Sequence, residues 1–78
     1  MITEYVLIVD GLAVAYSRYD SYGKSWIHQK VGTTQEDINK ALINNLTAWA
    51  ESRNIKNYQI KNAKQVEKLT FAKEVWRV

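Results

Sequence analysis

The chain has 78 residues, 46% of them hydrophobic and 12% aromatic, with a formal net charge of +3. That length suits one domain over residues 1–78, near the lower limit for a core that supports itself. Cysteine is absent, which excludes disulfides and thiolate-bound zinc, and the single histidine, His28, leaves nothing for a histidine metal cluster.

Stability must therefore come from packing, and the aromatic content argues against disorder. Residues 1–4 lack the basic start and apolar core of a signal peptide. The longest apolar run, residues 5–9, is far short of the roughly 20 residues that a membrane helix needs. The expectation is a cytoplasmic protein with no membrane contact and no cofactor. Charge is uneven along it. Residues 1–52 carry four basic and six acidic side chains, a net −2. Residues 53–78 carry seven basic and two acidic, a net +5. Such asymmetry fits an acidic partner or a lysine-rich solvated face, and the regular lysine spacing favours the solvated face.

Residues 5–16 read YVLIVDGLAVAY. Asp10-Gly11 between apolar runs is a strong hairpin signal, because both residues tolerate the positive φ of a type I′ turn. A regular two-residue turn pairs Val9 with Leu12, Leu7 with Val14 and Tyr5 with Tyr16. Those six bulky side chains then share one face. Glu4, Val6, Ile8, Ala13, Ala15, Ser17 and Tyr19 share the other. Residues 20–24 read as a turn, and the alternation in residues 25–31 (SWIHQKV) predicts a third strand.

Thr33 with Glu36 fits a capping box, and Glu36 and Asp37 suit the positive end of a helix dipole. Ile38, Ala41, Leu42, Leu46, Trp49 and Ala50 recur at helical spacing. Arg53 suits the last turn and Asn54 a left-handed cap, so the predicted helix covers residues 34–53. Beyond it, residues 58–60 read as a short strand and residues 62–68 as a turn or a single helical turn. Residues 69–78 are rich in strand formers, although Val66, Leu69, Lys73 and Trp76 would also line one side of a helix; strand is favoured. The expected class is α+β: a small antiparallel sheet against one long helix.

The small residues Ala13 and Ala15 give a helix room, so it is expected over Val6, Ile8, Ala13 and Ala15. The bulky face would then stand open, several hundred Å² of apolar surface, about the size at which a patch marks a binding site. Three coverings compete: the carboxyl-terminal segment, a second copy in a homodimer, or a different macromolecule.

Function is thinly signalled. No nucleophile elbow or phosphate-binding glycine loop is present, and adjacent Glu36 and Asp37 do not face each other on a helix. The first expectation is a small non-enzymatic interaction protein that binds another protein. Its contact residues would be Tyr5, Leu7, Leu12, Val14, Tyr16 and Trp26. By analogy of size and class it compares with phage and mobile-element proteins that inhibit host machinery. The alternative is DNA binding. Arg18, Tyr19, Tyr22, Lys24, Trp26, His28 and Lys30 mix basic and aromatic groups, with Arg18, Tyr22, Lys24 and Lys30 as candidate contacts. A three-stranded sheet backed by one helix is similar in architecture to the amino-terminal arm-site domains of tyrosine integrases, a likeness that implies a sheet laid in the major groove.

Overall fold

The computed structural model describes residues 2–20 and 34–78. Strands β1 (Ile2–Val9) and β2 (Leu12–Asp20) form a hairpin across Asp10-Gly11. Asp10 has φ 53° and Gly11 φ 81°, the positive values that this turn requires. Helix α1 (Gln35–Ser52) follows, then β3 (Gln59–Asn62), a 3₁₀ turn η1 (Ala63–Gln65) and β4 (Phe71–Arg77). The class is α+β, as the sequence implies. The sheet order is β3-β1-β2-β4, and the pairing is mixed rather than all antiparallel, because β4 runs parallel to β2. It occupies the place beside β2 expected for residues 25–31, which lie outside the described residues.

The hairpin register departs from regular pairing at one point. Leu7 pairs with Ala15 while Ile8 pairs with Ala13, so Val14 is an extra residue in a β-bulge. Tyr5 is consequently opposite Ser17 rather than Tyr16, and Tyr16 pairs with Val6. A one-residue shift exchanges the faces of everything beyond it. Here it moves Ala15, Ser17 and Tyr19 onto the face of Leu7, Tyr5 and Thr3. Leu7 and Tyr5 of β1 thus meet the small Ala15 and Ser17 of β2, and the helix has room above them.

α1 packs on that face, which corrects the expectation that it covers Val6, Ile8 and Ala13. Its buried residues, Ile38, Leu42, Leu46 and Ala50, repeat every four positions in one stripe. Leu46 and Ala50 join Leu7 and Ala15 in one cluster, flanked by Val9, Val14 and Trp49. Ile38 and Leu42 join Tyr19 in a second, and Tyr5 packs against both. The helix therefore runs along β1 and against β2, as a crossover from β2 to β3 should.

Both helix ends are closed by identifiable bonds. The N-cap is Thr34 rather than Thr33, and its Oγ1 accepts from the Asp37 backbone N–H at 3.1 Å. Glu36, expected in the capping box, instead pairs with Lys40 one turn on at 3.5 Å. Gln35 Nε2 donates to Thr3 Oγ1 at 3.0 Å, fastening the helix start to β1. At the other end Asn54 is left-handed with φ 57°. Its N–H reaches Glu51 O at 3.1 Å, and the Ile55 N–H reaches Ala50 O at 3.0 Å. That is the Schellman pattern, and Ile55 completes it by packing on the Ala50 cluster.

The return from β3 to β4 covers the second face. β3 ends with Asn62 opposite Tyr5, and β4 begins with Phe71 opposite Ala13. A direct crossing spans roughly 17 Å, three strand spacings sideways and three residues along. A detour around either end of the hairpin needs roughly 30 Å or more. Nine residue steps reach about 30 Å only when fully extended, and three of the residues are wound into η1. The segment must cross a face, and α1 occupies the other one. Val6 and Ala13, on the face so crossed, are completely buried. Both faces of the hairpin are apolar because the same chain covers both.

Two energetic outcomes follow from this packing. Leu7 lies wholly under the helix, so Leu7→Ala should cost about 2–5 kcal/mol in urea denaturation; a loss below about 1 kcal/mol would place Leu7 outside the core. The Ser17 hydroxyl is buried beneath the helix and has no hydrogen-bond partner among the described residues. Ser17→Ala removes that unpaired group and should raise stability by about 1 kcal/mol; a comparable fall would mean that the hydroxyl is satisfied.

Candidate functional site

With Leu7 and Ala15 buried on one face of the hairpin and Val6 and Ala13 on the other, apolar surface for a partner has to be sought at the edges of the sheet. The residues expected to meet one divide sharply. Leu7 is completely buried, and Tyr5 and Val14 pack against the core beneath α1. These three belong to the core, which removes the reason for assigning them to a partner. Tyr16 is half-buried on the opposite face, and Leu12 at the turn is 40% exposed. Trp26 lies outside the described residues. Of the candidate DNA contacts, Arg18 is exposed and pairs across the strands with Glu4. Tyr22, Lys24, Lys30 and also His28 lie outside the described residues. Tyr19, grouped with them by its aromatic character, is a core residue only 3% exposed.

Two residues not singled out in the sequence as contacts are more exposed than Leu12. Phe71 is 52% exposed and Trp76 53% exposed, both on β4, an edge strand of the sheet. β4 takes that position because Phe71 pairs with Ala13, Trp76 with Ala15 and Arg77 with Tyr16. The strand is anchored at its ends by Ala13 N–H to Thr70 O and Val78 N–H to Tyr16 O, both 2.8 Å. Between those anchors five steps of β4 accompany two of β2. The middle of the edge is irregular, which discourages indiscriminate strand addition. What the edge offers is side chains: two aromatics bracketing Lys73, Glu74 and Val75. The signal available in sequence was the exposed-strand composition of residues 71–77, aromatics mixed with charge; nothing local identified the neighbour of that strand.

A second feature is an open groove of about 590 Å³ between the hairpin turn and residues 56–59. Asp10, Lys56 and Tyr58 are its titratable groups. Among the described residues no cluster of His, Cys, Asp or Glu could hold a metal ion, and no helix is long and apolar enough to cross a membrane. At the end of α1 the Arg53 guanidinium stacks on Trp49, 4.2 Å from the ring centroid. That contact shields one face of a half-buried core indole.

No family model, curated protein or solved structure matches the chain.

Proposed function

We propose that the chain is a non-enzymatic interaction protein that binds another protein through the β4 edge of its sheet. The observation that carries this reading is the exposure of Phe71 and Trp76 on one edge strand. Aromatic side chains give large contact area at low entropic cost and dominate the energetics of protein interfaces. Here two of them stand at the surface of a chain whose two sheet faces are already covered. Leu12, at the turn, adds a third exposed apolar group. Lys73, Glu74 and Arg77, all exposed, would form the polar rim around such anchors.

A cytoplasmic location and inhibition of the bound protein belong to the same proposal. The first is supported by the lack of cysteine, the second only by size and class. Self-association through the same edge is the homodimer form of it. The irregular middle of β4 favours a heterologous partner held by side chains over a continuous sheet shared between two copies.

Sedimentation of the purified chain and affinity capture from its source cells test the proposal together. A partner retained by the wild-type chain should be lost, by tenfold or more in affinity, with Trp76→Lys. The same change should alter folding stability by no more than about 0.5 kcal/mol, because the side chain is half exposed. Capture unchanged in Trp76→Lys and Phe71→Lys would contradict the assignment of the edge. A monomer that captures nothing would contradict the function itself.

A further inference from the structure

We infer that the layer opposite the helix is a binding surface for the phosphate backbone of duplex nucleic acid. This goes beyond the protein-binding reading and, apart from Arg77, uses a different part of the molecule. The strand register places Lys61, Val6, Tyr16 and Arg77 in one row across all four strands. Directly paired residues share a face, so Lys61 and Arg77 project from the face opposite α1. The row Glu4–Arg18 lies on the same face. Lys64 and Lys68 stand on the return segment that crosses it. All five cations are exposed, and among the described residues the ion pair is Glu36–Lys40, on the helix.

The two layers of the protein carry opposite charge. α1 holds three acidic side chains and one basic, a net −2. The opposite layer holds Arg18, Lys61, Lys64, Lys68 and Arg77 against Glu4, Asp20 and Glu67, a net +2. A polyanion is therefore drawn to one side and repelled by the other, which orients the approach. Spacing supports the same ligand. Lys61 and Arg77 are three strand spacings apart, about 14 Å, close to the width of about 12 Å between the phosphate walls of a major groove. The contacts are to phosphate, so binding is independent of sequence.

The test is fluorescence anisotropy of a labelled 20-base-pair duplex of arbitrary sequence, titrated with the full chain. Phosphate contacts by four of these cations, leaving out Arg18 beside Glu4, give a slope of about −3.6 in log affinity against log salt, roughly a hundredfold loss between 50 and 200 mM. Lys61→Glu combined with Lys64→Glu should weaken binding at least tenfold, with circular dichroism unchanged. Lys40→Glu, on the helix side, should leave it as it was. Absence of binding at 50 mM salt overturns the inference, and so does wild-type affinity in the double variant. Equal competition by polyglutamate also overturns it, because the surface would then take an acidic protein. Lys61 and Lys64 lie at the far edge from β4, so failure here leaves the Phe71 and Trp76 interface standing.

Discussion

The β-bulge at Val14 is the constraint on which the rest of the structure depends. Without it, Leu7 would oppose Val14 and Tyr5 would oppose Tyr16, presenting a face too bulky for close helix packing. With it, Leu7 meets Ala15 and Tyr5 meets Ser17. The small partners leave a channel into which Leu42, Leu46 and Ala50 descend until all three are completely buried. One extra residue in one strand thus decides which face of the sheet receives the helix.

The topology follows from that choice. β2, β3 and β4 run in the same direction, with β1 antiparallel between β3 and β2. The helical connection moves from β2 past β1 to β3 on one face. The next connection moves back the other way, and the right-handed rule then sends it over the opposite face. A 78-residue chain without disulfides gains by this arrangement, because Val6 and Ala13 on the second face are buried as well as Leu7 and Ala15 on the first. The arrangement also decides which surface stays exposed. Apolar surface remains at the β4 edge, and positive charge collects on the layer away from the acidic helix.

Much of this was legible locally. Asp10-Gly11 announces its turn, the four-residue recurrence of Ile38, Leu42, Leu46 and Ala50 announces the helix, and Asn54 takes the left-handed cap expected of it. The strand preference of residues 69–78 also holds, with β4 over Phe71–Arg77. What escaped was non-local. Ala13-Val14-Ala15 alternates acceptably in either register, and no glycine marks the bulge. Adjacent Thr33 and Thr34 both suit an N-cap, and only the bond to Asp37 distinguishes the second. The parallel placement of β4 depends on the length of the return segment, which no local pattern encodes. For the same reason Leu7 read as a contact residue although it is core, while Phe71 and Trp76 read as ordinary strand residues although they are exposed.

The most direct measurement is a methyl–methyl nuclear Overhauser experiment on the labelled protein. The bulge places Leu7 and Ala15 in contact with the helix stripe, so strong cross-peaks should join Leu7 and Ala15 methyls to those of Leu46 and Ala50. Val6 and Ala13 methyls should show none to that stripe, because the return segment lies over them. Cross-peaks from Val6 and Ala13 to Leu46, with none from Leu7, would put the helix on the other face and contradict the account.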